Sequence, residues 1–321
     1  MPAPSYLLSY RERRARERAR EPDGTGVPLY RRRFIAAPGR SPAWRHATAS
    51  PEIVPSSPVP AGLAPVDLHL LRHGETQSYV ADAGLTPRGE WQSRRYGHTL
   101  SAEVQDGEAV RVLCAPTARA ARTADQVRLG LEEGLEARGL RAAVHGPEPA
   151  PAFRNFQIWT PSGLEDPTRA AGEHRLAPAR QGRDGSGRPA LWLLELSRYW
   201  SLQAGGGDAI EFWLTHPLLT FEPPAAVVRR FWAAALGLAG GNGRTRVVCC
   251  THSGPMRAFA AWALGHDAGE PYNAEEVRVR VWPDAGRAAV TYRGRTQELT
   301  GPPAPDGTAW WDAPARAAEQ G

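Results

Sequence analysis

The sequence predicts an α/β protein, a three-layer α/β/α sandwich around a mainly parallel central sheet. Three observations predict it. Short apolar, β-branched runs alternate with helix-like segments along residues 66–300. Two of those runs end in a histidine followed by a turn with glycine. Helix-start signals follow the turns, as strand–turn–helix units require.

The first strand is V-D-L-H-L-L at 66–71, closing at R-H-G. Thr86 and Pro87 read as the N-cap and first position of a helix running to about residue 100. V-R-V-L-C at 110–114 is the second strand, a helix over about 117–129 follows, and a short strand is expected at 141–145. Residues 160–190 are polar, rich in Gly and Pro, and read as an irregular excursion. A helix is expected over 224–238, then a strongly apolar strand, T-R-V-V-C-C-T, at 245–251. A helix over about 255–264 and a hairpin of 277–282 with 288–292 complete the pattern. Trp192, Trp200, Trp213 and Trp232 are expected in the core or a lid, and residues 301–321 read as a tail.

At 321 residues, 41% hydrophobic and 23% charged, the chain is long enough for one large domain or two small ones. No run approaches the roughly 20 apolar residues of a membrane span. The first 30 residues lack the apolar stretch of a secretory signal. Three cysteines, Cys114, Cys249 and Cys250, supply neither a disulfide framework nor C-x-x-C metal spacing. The expectation is a reducing, cytoplasmic location, with Cys249 and Cys250 packed in the core.

All 39 cations are arginine, which with 33 Gly and 30 Pro reads as codon bias more than a binding surface. Residues 1–65 hold 11 Arg against five acids, more than the whole net charge of +5. The basicity therefore lies in a Pro-rich N-terminal arm, expected to be flexible, on a near-neutral body. Two Glu interrupt its Arg run and few aromatics interleave it, which argues against nucleic-acid binding.

Ligands of open α/β sheets bind at the carboxyl ends of strands. His73 and His252 end two strands, and Arg119 and Arg122 lie in the first turns of the helix after a third. Two imidazoles, guanidiniums and helix N-termini in one pocket are suited to a phosphate dianion.

Four segments carry a resemblance to the histidine phosphatase superfamily, the phosphoglycerate-mutase-like fold. They are L-L-R-H-G-E-T at 70–76, L-T-P-R-G-E-W-Q at 85–92, A-P-T-A-R-A-A-R-T-A at 115–124 and V-V-C-C-T-H-S-G at 247–254. The resemblance implies that His73 is the nucleophile, phosphorylated on a ring nitrogen. Arg72 and Arg119 would grip the phosphoryl oxygens, and His252 would donate to them. Arg and His supply the positive charge, so no cofactor or metal is implied. Gly74, Glu75, Thr76, Arg122 and Ser253 are expected around the phosphate, with Glu75 in a hydrogen-bonding role and Arg122, one helical turn on, either at the pocket rim or in a surface salt bridge. Arg154, Asn155, Trp213 and Arg257 are candidates for substrate contacts, and an inserted specificity or lid region is expected at about 146–222.

Three positions depart from the family pattern. Tyr79 stands where many members have Asn, Ala115 replaces a Ser, and residues 151–156 lack the usual proton-donating Glu. Glu148, Asp208 and Glu211 are the candidate donors, and Glu211, in the apolar context A-I-E-F-W, is preferred because burial would raise its pKa. The expected activity is hydrolysis of a small-molecule phosphate monoester through phospho-His73, with no membrane partner. A phosphomutase and a catalytically weak phospho-ligand-binding protein are the alternatives.

Overall fold

The structure is a computed structural model and describes residues 64–77, 82, 84–176, 189–238 and 245–302. All but the last two residues of the arm, Tyr79 and the tail beyond 302 lie outside the described residues. In chain order the elements are β1 (Val66–Arg72), α1 (Pro87–Leu100), β2 (Ala109–Cys114), α2 (Ala118–Ala137), β3 (Ala143–Pro149), β4 (Ile158–Thr160) and β5 (Gly163–Glu165). Then follow α3 (Pro167–Leu176), α4 (Leu191–Ala204), α5 (Ala209–Thr215), α6 (Pro224–Gly237), β6 (Thr245–Thr251), α7 (Ser253–Leu264), β7 (Glu276–Trp282), β8 (Arg287–Tyr292) and β9 (Arg295–Leu299).

Seven strands form one sheet in the order β3-β2-β6-β1-β7-β8-β9. The first four are mutually parallel, and β7, β8 and β9 extend the sheet antiparallel. Side chains alternate across it as strand geometry requires. Leu68, Leu70, Leu113, Val247 and Cys249 face one core with α4, α5, α6 and α7. Leu71, Val110, Val112, Val248 and Cys250 face a second core with α1 and α2. Helices, sheet and helices make three layers. Cys249 and Cys250 fill opposite faces, both fully buried.

Helix starts follow the sequence signals. Thr86 Oγ1 accepts from Gly89 N at 3.0 Å, with Pro87 opening α1. Thr117 Oγ1 caps α2 from Ala120 N at 3.4 Å. The structure differs from expectation in several places. α2 runs on to Ala137 because Gly130 and Gly134 pack against α1 instead of breaking the helix. A Cβ on Gly130 would lie 1.9 Å from the Arg94 carbonyl oxygen, so glycine sets the close helix approach. The 160–190 excursion contains ordered elements, the β4–β5 hairpin and α3, which D-P-T at 166–168 starts with an Asp cap and a Pro. Last, β9 adds an edge strand beyond the expected hairpin; its exposed polar residues gave no alternating signal.

Candidate active site

β1 and β6 are neighbours in register, with Arg72 opposite Thr251. The chain leaves both strands at the same sheet end, and His73 N donates to Thr251 O at 2.9 Å. His73 and His252 therefore meet, ring centroids 5.5 Å apart and planes at 67°. β2 is the other neighbour of β6 and delivers the start of α2, with Arg119. All four of Arg72, His73, Arg119 and His252 are buried.

The R-H-G turn is held on every side. His73 Nδ1 lies 2.8 Å from Gly74 O, which can only accept, so Nδ1 carries the proton and Nε2 keeps its lone pair. Asn273 Nδ2 donates to His73 O at 3.0 Å. Gly74 N donates to Thr123 Oγ1 at 3.0 Å, and that hydroxyl donates to Arg119 O at 2.8 Å, tying the two motifs together. A Cβ on Gly74 would lie 2.4 Å from Gly89 O, so the turn and α1 touch only because both are glycine.

Burial, then Arg119 and Arg72, hold the His73 pKa well below its ordinary value. Burial is also the first cause for His252, followed by Arg119, His73, Arg72 and Arg230. Both imidazoles are therefore neutral at pH 7. His252 Nε2 lies 3.1 Å from Thr117 Oγ1, while its buried Nδ1 and the buried Arg119 Nε have no hydrogen-bond partner among the described residues. Carboxylates surround the cations: Arg72 Nη1 is 2.9 Å from Glu270 Oε1. Arg119 Nη1 is 3.2 Å from Asp82 Oδ1, and its Nη2 is 3.7 Å from Asp166 Oδ2. The set places a neutral imidazole beside two guanidiniums, a combination suited to binding a phosphoryl group.

Other expected residues fall in varied places. Glu75 N donates to Gln92 Oε1 at 3.0 Å, and its carboxylate accepts from Thr86 Oγ1 at 3.1 Å, joining the turn to α1. Thr76 Oγ1 donates to Gly84 O at 2.7 Å. Ser253 opens α7 directly after His252. Asn155 Nδ2 donates to Asp166 Oδ2 at 2.9 Å, and its Oδ1 lies beside Gly254. Arg154 is half-buried, with Glu222 at 3.8 Å.

Several expectations are corrected. Arg122 turns to the surface and pairs with Glu90 on α1 at 2.8 Å. Glu211 is exposed: Asp208 caps α5, and Ile210, Phe212 and Trp213 take the apolar face, leaving Glu211 outward. Trp213 is core, stacked on Phe156 at 4.3 Å. Arg257 is clamped at 2.7 Å by Asp208 and 2.6 Å by Asp267, a structural pair. Glu148 likewise pairs with Arg111 at 2.9 Å, and Asp208 is held by Arg257, so two of the three candidate donors are engaged by arginines. Sequence reasoning missed Asp82, Asp166, Glu270 and Asn273. Asp166 alone had a signal, its Asp-Pro helix start.

A separate cavity of about 460 Å³ lies near the start of β1, beside Asp67, His69, Glu103, Arg246, Arg278 and Arg280. Each of its arginines faces a carboxylate, so it offers no cradle like that around His73. Among the described residues no group of three or more His, Cys, Asp or Glu is placed to hold a metal ion. No described helix is long and apolar enough to cross a membrane.

Residues 68–140 match the family model of the histidine phosphatase superfamily, branch 1. No curated protein is a significant match to the chain. Among solved structures, a mycobacterial glucosyl-3-phosphoglycerate phosphatase is 18% identical over 68% of this chain and 93% of that one, with TM-score 0.39. A mutant phosphoserine phosphatase from Entamoeba histolytica is 13% identical over 74% and 97%, with TM-score 0.39. YhfR of Bacillus stearothermophilus is 16% identical over 73% and 96%, with TM-score 0.41.

Proposed function

We propose that this chain, which belongs through residues 68–140 to the histidine phosphatase superfamily, is a metal-independent phosphatase acting on a small-molecule phosphate monoester through a phosphohistidine at His73. The observation that supports it most is the buried, neutral His73, its Nδ1 proton held by Gly74 O, between Arg72 and Arg119. His73 Nε2 attacks phosphorus as the ester P–O bond breaks, and the departing oxygen takes a proton. Water then attacks phosphorus, the N–P bond breaks, and inorganic phosphate leaves. Arg72 and Arg119 balance the charge on the equatorial oxygens, and His252 supplies a further ring N–H. Three free, buried cysteines accord with a reducing, cytoplasmic setting.

The test is phosphate release from an aryl phosphate in the presence of EDTA, for the wild type and His73→Ala. Release that survives chelation in the wild type and is lost by at least ~10³-fold in the variant supports the reading. Release by the variant at the wild-type rate overturns it. Ligand binding without turnover by the wild type points instead to a phospho-ligand-binding protein.

A further inference from the structure

The motif positions leave the proposed reaction without a source for the leaving group's proton. Among the described carboxylates on the two phosphate-gripping arginines, three groups stand out: Glu270 on Arg72, and Asp82 and Asp166 on Arg119. Their engagements differ. Glu270 binds Arg72 from the loop before β7, with its side chain one-third exposed. Asp82 is committed to the N-terminus of α2, with its carboxylate on the backbone N–H groups of Ala118 and Arg119. Asp166 is the most enclosed, its side chain 16% exposed. One oxygen, Oδ1, caps α3 by accepting from Thr168 N at 2.8 Å. That cap turns the other oxygen, Oδ2, to Asn155 Nδ2 at 2.9 Å and Arg119 Nη2 at 3.7 Å. Asn155 in turn lies beside Gly254 in the H-S-G turn that follows His252.

Resting on the phosphohistidine reading, we infer that Asp166 exchanges the proton in both half-reactions, with Asn155 as its positioning residue. The acid reaches the site from the turn after the β4–β5 hairpin, eleven residues beyond the asparagine that orients it. In the first half-reaction the Oδ2–H bond breaks as the ester P–O bond breaks, and the leaving oxygen takes that proton. Asp166 is left as a carboxylate. In the second, that carboxylate takes a proton from water as the water oxygen bonds to phosphorus and the N–P bond electrons return to His73 Nε2. The carboxyl is restored and the atoms balance.

The leaving group reads this role out. A nitrophenolate departs without a proton, whereas an alkoxide requires one. Asp166→Asn keeps an oxygen to cap α3, so its fold is checked by thermal midpoint. The expected result is a loss of ~10²–10⁴-fold in kcat/KM on an alkyl phosphate, with a loss under about tenfold on nitrophenyl phosphate. Its slowed second step should leave a nitrophenolate burst equal to the enzyme concentration. Asp166→Glu, which retains a carboxyl, should restore part of the alkyl activity. An equal loss on both substrates with no burst, or full alkyl activity in Asp166→Asn, overturns the assignment. A wild type whose aryl activity survives His73→Ala instead overturns the underlying phosphohistidine reading, so the two failures are distinguishable.

Discussion

Lowering the pH should destabilise the folded chain through its two buried histidines. Both have folded pKa values held well below 6.5, first by burial and then by the arginines around them. Below pH 6.5 the unfolded chain takes up protons that the folded chain refuses, so stability is full above that pH and falls beneath it. The loss per histidine follows RT ln(1 + 10^(6.5 − pH)) while the folded group stays neutral. At pH 5.0 that amounts to at most about 2 kcal/mol for one histidine and at most about 4 kcal/mol for two. Glu276, held at about 2 by His69 and its other partners against burial, loses its contribution only below its ordinary value of 4.5, outside this window. Urea denaturation followed by tryptophan fluorescence at pH 7.5 and 5.0 reads the slope. His73→Asn should remove part of the pH-dependent drop, at most about 2 kcal/mol, because Asn does not titrate. A variant whose stability falls with pH in parallel with the wild type would refute the claim that His73 is folded in its neutral form. The same property has a kinetic face, since a nucleophile that stays unprotonated remains competent on the acidic side of neutrality.

Two further predictions concern the scaffold that carries the site. Gly130→Ala places a methyl 1.9 Å from Arg94 O and must part α1 from α2, costing about 1–3 kcal/mol or more, read as a lowered thermal midpoint. Arg246→Met leaves Glu108, which it meets at 3.0 Å with both side chains 3% exposed, buried without its cation, and should cost about 3–5 kcal/mol in denaturant titration. Adding Glu108→Leu should recover much of that loss, because a buried pair replaced by apolar groups is far less costly than one broken.

The parallel half of the sheet was legible because its strands announce themselves. V-V-C-C at 247–250 is apolar on both faces, and Thr86-Pro87 starts a helix where the structure has one. Arg72, His73, Arg119 and His252 were legible for a related reason: each sits at a strand end or a helix start, where local sequence fixes its position. The carboxylates were not, because long-range packing brings them in. Asp82, Asp166 and Glu270 reach the arginines from separate connections, and nothing local links Asp166 to Arg119, 47 positions earlier in the chain. Glu211 misled because A-I-E-F-W was read as uniformly apolar surroundings. On a helix only one face is buried, and Ile210, Phe212 and Trp213 occupy it. The helix expected over 117–129 runs on to Ala137, where Gly130 and Gly134 pack closely against the preceding helix, a long-range contact that local sequence does not announce.

The most direct test is to trap the phosphoenzyme. Wild-type protein is mixed with an aryl phosphate, quenched in alkali within the first turnover, and digested for peptide mass spectrometry. The account predicts a phosphoryl group on His73, absent from His73→Ala and lost on acid treatment. Phosphate release with no phosphorylated His73, or with the group on another residue, would contradict it.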